Sequence, residues 1–425
     1  MSHRALDRND YRTLSLAALG GALEFYDFVI YVFLAPVIGR LFFPADMPDW
    51  LRLLQTFGIF SAGYLARPLG GIVIAHFGDL LGRKRMFALS IFLMAVPTLA
   101  IGLLPTFASI GIAAPLLLLL MRILQGVAIG GEVPGAWVFI AEHVPEQRFG
   151  FGIGTLTAGL TIGILFGSLL AVALNAFYGP EQVAAFAWRF PFVGGGAFGF
   201  VAVYLRRFLE ETPVFREMKA RRALANEVPI KTVLRDHRAA TLLALALTWV
   251  LTAAIVVVIL FTPTYLQQVF HVPARYALQA NAAATFTFAI GCLFFGWACD
   301  RFGTRATMLV GFSGLLASSY WFYSSMPDAP VIINRTYALT GFFVGSVTTV
   351  PIVALRLFPA AVRFSGLSFS YNVSYAIFGG LTPVVLAAWL RTEPMAPAYY
   401  VGGLALFGIL LALLQPRSDS YKTAP

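Results

Sequence analysis

The sequence predicts an all-α membrane protein, with twelve transmembrane helices in two pseudo-symmetric six-helix bundles. Three observations predict it. Hydrophobic residues make up 59% of the 425 and charged residues only 12%, about half the ~25% of an ordinary soluble domain. A chain this apolar has too little polar surface to cover a soluble globule, so its solvent is partly lipid. Twelve apolar runs follow one another, each near the ~20 residues that a spanning helix needs. One short polar motif occurs twice, at the equivalent place in each half.

The runs lie at roughly 14–34, 51–75, 87–104, 113–140, 149–176, 188–207, 239–265, 276–298, 306–325, 331–356, 364–390 and 397–415. The one long polar segment, Arg206 to Arg238, falls between the sixth and seventh. It divides the chain into a first bundle (1–207), an inter-bundle loop (208–238) and a second bundle with a short tail (239–425). With the N-terminus inside, 22 of the 30 Lys and Arg residues fall in inner segments and six in outer ones. This positive-inside asymmetry places both termini in the cytoplasm of a multi-pass inner-membrane protein. It also accounts for the net charge of +10 without a nucleic-acid partner. The polar start, Met1 to Asp10, lacks the apolar stretch of a cleaved signal peptide. Cys292 and Cys299 stand seven residues apart in one apolar run. That spacing is about 10 Å along a helix, too far for a disulfide. No Walker loop, metal-ligand spacing or nucleophile elbow occurs, so no enzyme, metal or cofactor is expected.

The repeated motif is Ala75-His76-Phe77-Gly78-Asp79-Leu80-Leu81-Gly82-Arg83-Lys84-Arg85 in the first half and Gly296-Trp297-Ala298-Cys299-Asp300-Arg301-Phe302-Gly303-Thr304-Arg305 in the second. Each has aspartate, glycine three later, then a basic residue. Glycine permits the backbone bend, and aspartate can accept from the free amides of a helix start. In this the chain resembles the major facilitator superfamily, whose loop motif runs Gly-x-x-x-Asp-x-x-Gly-Arg-Lys; the first copy departs from it at Ala75. The resemblance implies a cytoplasmic latch made by Asp79, Arg83, Asp300 and Arg305, with Glu142 joining it.

Further stretches are similar to the metabolite:proton symporter branch of that superfamily. They are Glu24-Phe25-Tyr26-Asp27-Phe28, Arg122-Ile123-Leu124-Gln125-Gly126 with Gly130-Gly131-Glu132, Glu211-Thr212-Pro213-Val214-Phe215, and Arg363-Phe364-Ser365-Gly366-Leu367-Ser368 leading to Tyr371-Asn372. Members of that branch import organic acids or zwitterionic osmolytes with protons.

Away from the helix ends, five ionisable groups lie within the predicted helices: Glu24, Asp27, Arg67, Arg122 and Glu132. Each costs at least ~2.5–3.5 kcal/mol in hydrocarbon, so each wants a partner or a function. All five belong to the first half. Counting from the helix ends places Asp27 and Arg122 at one depth, roughly 10–14 Å below the outer surface. Arg67 and Glu132 match nearer the inner side and read as a structural ion pair. Glu24 and Asp27, three apart, share a helix face. Two carboxylates against one guanidinium leave a negative charge uncompensated, so proton uptake by one carboxyl would free Arg122 for an anionic substrate. The sugar-porter branch has an equivalent aspartate and arginine, which implies proton coupling by Asp27, Glu24 and Arg122. Substrate contacts are expected from Arg122, Gln125, Tyr26, Tyr31, Asn281, Tyr371, Asn372 and Tyr375. The glycines from Gly150 to Gly167 give the fifth helix a small-residue face for close packing against the other half.

The expected function is proton-coupled uptake of a small organic acid, a di- or tricarboxylate or an aromatic acid, by a monomeric carrier in contact with membrane lipid. The alternative is a proton-coupled importer of betaine or proline, with a drug or metabolite exporter as a third reading. Osmosensing members carry a long coiled-coil tail, whereas only ten residues follow Gln415 here, which favours the organic acid.

Overall fold

The computed structural model describes residues 8–81, 83–130, 132–206, 229–326, 330–359 and 362–414. Among them twelve long helices follow one another and no strand occurs. They are α1 (Arg8–Phe33), α2 (Asp49–Leu81), α3 (Arg83–Leu103), α4 (Ala113–Ala141, interrupted at Gly130), α5 (Phe149–Phe177), α6 (Arg189–Arg206), α7 (Arg238–Val269), α8 (Ala274–Phe302), α9 (Thr304–Ser324), α10 (Ile333–Leu357), α11 (Arg363–Trp389) and α12 (Ala396–Leu414). Eight of these are long and apolar enough to cross a membrane. A ninth span results if Phe25–Phe33 and the short helix Ala35–Phe42, bent by 68° between them, count as one. Their outer faces are apolar at helical spacing: Leu406, Leu410 and Leu413 on α12 are each about half exposed. Lipid is the solvent that accepts such a face.

Packing follows one scheme twice. In the first half α1 packs on α5, α2 on α4 and α3 on α6; in the second, α7 packs on α11, α8 on α10 and α9 on α12. Adding six to each helix of one set gives the other, which is the pseudo-symmetry that the repeated motif announces. The halves meet along two seams, α5 with α8 and α2 with α11. The same operation exchanges these seams.

Close approach in the first seam depends on glycine. A Cβ on Gly296 of α8 would lie 2.6 Å from the Gly150 carbonyl oxygen and 3.0 Å from the Gly154 Cα of α5. The expected small-residue face of α5 is divided. Gly150 and Gly154 face α8, whereas Gly159 and Gly163 face Ala18 and Ala22 of α1, inside the same half. The motif glycine Gly303 ends α8 with φ 84°, a backbone conformation that favours glycine, and its amide returns to the Cys299 carbonyl at 3.1 Å. Both cysteines are free and buried along this seam.

Candidate functional site

Asp27 is buried in α1, and its carboxyl is turned toward α6. It faces Gly195 and Gly199 of α6, and a Cβ added to Gly195 would strike its Oδ1. That oxygen has no hydrogen-bond partner, and the Thr98 side chain of α3 borders the same carboxyl. Two glycines thus leave room for the carboxyl that a larger residue would fill, and these neighbours of the acid carry no charge.

Arg122 of α4 is fully buried and does not reach Asp27. Its Nη1 donates to Gln125 Oε1 at 2.8 Å, and both terminal nitrogens lie 3.5 Å from the Phe28 carbonyl. Its guanidinium lies 4.3 Å from the Phe28 ring centre and 4.4 Å from that of Tyr31. Among the described residues no ion pair joins Asp27 to Arg122. Gln125 Nε2 donates to the Thr98 hydroxyl at 2.7 Å, and Thr98, which borders the aspartate, donates to the Met94 carbonyl at 2.9 Å, so the hydrogen bonds that start at Arg122 end beside Asp27 and not on it. The direct pair expected from equal depth does not form: Arg122 turns to Gln125 and the Phe28 carbonyl, and Asp27 turns to α6.

The cavity between the halves is small and aromatic. Phe25, Phe28, Tyr64, Arg67 and Tyr375 line it, with aliphatic side chains from α1, α4, α5 and α7. Arg67, expected in a structural pair with Glu132, is therefore the charged side chain in the described lining. Its guanidinium lies 4.6 Å from the Tyr375 ring centre, 5.3 Å from Tyr64 and 5.4 Å from Tyr371. Tyr64 comes from α2 and the other two rings from α11, so both halves build this face. Tyr375 opens a π-helical turn that runs to Gly379, a local rewinding often found at functional sites. Phe28 stands between this cavity and Arg122, which is why Arg122 lines no part of it.

The remaining expected contacts fall into two groups. Tyr371 and Tyr375 reach Arg67. Tyr26, Tyr31, Asn281 and Asn372 are buried in structural bonds. Tyr26 donates to the Pro191 carbonyl at 2.8 Å and Tyr31 to the Thr56 carbonyl at 3.0 Å. Asn281 accepts from Tyr337 at 2.6 Å and lies 3.3 Å from Ser168 of α5, whose hydroxyl donates to the Leu278 carbonyl of α8. Asn372 donates to the Gly130 carbonyl where α4 is interrupted, tying α11 to α4. Sequence reasoning missed Tyr64, Phe28 and Thr98; Tyr64, one helical turn before Arg67, was open to the spacing rule.

At the opposite end of the α5–α8 seam from Ser168, Asp300 accepts hydrogen bonds from the Gly150 and Phe151 amides at 2.7 and 2.8 Å. It caps α5 of one half from α8 of the other. Arg356 of α10 lies over the Phe149 ring at 5.1 Å and reaches the Thr304 hydroxyl at 3.4 Å. Arg305 stands in the first turn of α9. The side chains of Glu24, Asp79, Arg83, Glu132 and Glu142 lie outside the described residues.

Residues 17–383 match the family model of the Major Facilitator Superfamily. The chain is 35% identical to a putative proline/betaine transporter of Staphylococcus aureus (strain COL), over 97% of its own length and 89% of the relative's. It is 32% identical to the proline/betaine transporter of Salmonella typhimurium, covering 95% and 82%. It is also 32% identical to the glycine betaine/proline/ectoine/pipecolic acid transporter OusA of Dickeya dadantii, covering 96% and 83%. In fold it is similar to the proton:xylose symporter XylE bound to 6-bromo-6-deoxy-D-glucose, with a TM-score of 0.76, 14% identity, and 95% and 94% of the two chains covered. A partially occluded, inward-open form of XylE from E. coli gives the same score, covering 97% and 99%. These relatives correct the expectation of organic-acid uptake, since they are named for proline, betaine and like solutes. That expectation made Arg122 the anion ligand, and Arg122 is sealed behind Phe28 and Tyr31.

Proposed function

This chain belongs to the major facilitator superfamily, and from that premise we propose that it imports a small zwitterionic osmolyte, proline or a betaine, with protons by alternating access. The observation that carries the reading is a pairing. Relatives sharing about a third of the residues are named for proline and betaine, and the described cavity lining offers one guanidinium among aromatic rings. A net-neutral zwitterion brings one carboxylate to that arginine. A di- or tricarboxylate would set further charges against apolar walls, where they go uncompensated.

Asp27 carries the coupled proton in this reading, with Glu24 on the same helix face, while Thr98 and Gln125 stand between it and Arg122. Asp300, and Asp79 by the repeat, close the cytoplasmic end. The two bundles, 1–207 and 239–425, rock about the cavity in the inner membrane with both termini cytoplasmic.

The test is uptake into proteoliposomes under an imposed pH gradient, with labelled glycine betaine, proline and a dicarboxylate offered separately. Betaine or proline should accumulate, and the gradient should drive it. Accumulation of the dicarboxylate alone, or indifference to the proton gradient, would overturn the reading.

A further inference from the structure

Arg67 occupies an unusual place. It is 2% exposed, yet its Nε and Nη2 hydrogen-bond to no described residue. Its guanidinium instead stands before three tyrosine rings at 4.6 to 5.4 Å. Those rings form one surface: Tyr64 and Tyr375 stack with centres 5.6 Å apart, and Tyr371 and Tyr375 tilt together at 4.5 Å. Electron-rich faces of this kind attract cations, quaternary ammonium groups included, and attract them most when water is excluded. The cavity therefore holds an anion ligand with donors to spare and a cation cage, side by side. At present the cage holds the protein's own cation.

We propose that Arg67, Tyr64, Tyr371 and Tyr375 form the zwitterion-recognition site, and that substrate enters by exchange. The incoming carboxylate takes the free edge of the guanidinium in a bidentate grip, drawing it off the tyrosines. The ammonium group of the same molecule, one carbon away, replaces it over the rings. Recognition then demands both charges: a carboxylate alone leaves the cage empty, and an ammonium alone must compete with a tethered guanidinium. This inference rests on the osmolyte reading and names its residues.

The test uses the full chain in proteoliposomes with labelled glycine betaine. Tyr375→Phe keeps the ring and should hold KM within about twofold. Tyr375→Leu removes it and should raise KM about 10- to 30-fold. Arg67→Gln should abolish betaine uptake and vacate the cage. Choline, which has the trimethylammonium group but no carboxylate, should then stabilise Arg67→Gln against heat at a concentration at least tenfold lower than wild type requires. If wild type takes up betaine but Tyr375→Leu matches Tyr375→Phe, the cage assignment is wrong and the osmolyte reading stands. If Arg67→Gln transports betaine with an unchanged KM, the arginine assignment is wrong. Should Arg67→Gln fail to fold, the Tyr375 pair decides. Failure of wild type to take up betaine or proline overturns both ideas.

Discussion

Gln125 joins Arg122 to Thr98: its side chain accepts from the guanidinium at 2.8 Å and donates to the hydroxyl at 2.7 Å. The hydrogen bonds of this arginine thus run to Thr98, the neighbour of Asp27, and the Thr98 hydroxyl donates in turn to the Met94 carbonyl at 2.9 Å. Asp27→Asn should abolish accumulation driven by a pH gradient while leaving substrate exchange at least half intact. Gln125→Leu should leave Nη1 of Arg122 without its short partner, at about 1–3 kcal/mol of stability. Thermal unfolding of the purified variant reads that loss directly. Unchanged unfolding would show that the Arg122–Gln125 bond carries no weight.

The glycines facing Asp27 give a steric test. A methyl group at Gly195 meets the carboxyl, whereas nothing lies within 4 Å of one at Gly194. Gly195→Ala should lower gradient-driven uptake at least tenfold, and Gly194→Ala should not change it. Equal activity in the two variants would remove Asp27 from the coupling role.

The Asp300 cap is open to measurement through two native thiols. Cys292 and Cys299 are buried on the same seam. Removing an N-cap costs about 1 kcal/mol, or roughly fivefold in an equilibrium. Asp300→Ala should therefore speed labelling of Cys299 by a membrane-permeant maleimide about fivefold. Labelling at the wild-type rate would mean that the cap does not hold the seam closed.

The glycine contact itself is less forgiving. At Gly296 the obstacle is backbone, so a side chain cannot rotate clear. Gly296→Val should insert normally but transport at under a tenth of the wild-type rate, with Cys299 labelled rapidly. Gly403, where a Cβ meets nothing within 4 Å, supplies the control: Gly403→Ala should transport normally.

Much of this molecule could be read from its residues alone. The helices were legible because lipid demands long apolar runs, and the repeated loop motif marked the two-fold scheme. The direction in which a side chain leaves its helix was not legible. It depends on how helices rotate and tilt against neighbours. So Arg122, expected to meet substrate, is sealed behind Phe28, while Arg67 faces the cavity. The preference for an organic acid followed from that exchange. The short tail after Gln415 argued in the same direction and carried no weight against relatives matched over nearly the whole chain. Pairings between halves, such as Asp300 with the start of α5, link residues 150 positions apart and leave no local trace.

The tyrosines around Arg67 have a consequence for the half of the cycle in which nothing is carried. A symporter delivers its cargo and must then turn back empty, crossing its shut form with a vacant site. A bare cage between the halves would make that return a climb, because aromatic faces from α2 and α11 would meet across a gap. In the proposed exchange the tethered guanidinium would fill the gap, standing in for the missing passenger. The same side chain that receives the solute would then let the unloaded carrier close and come back for more.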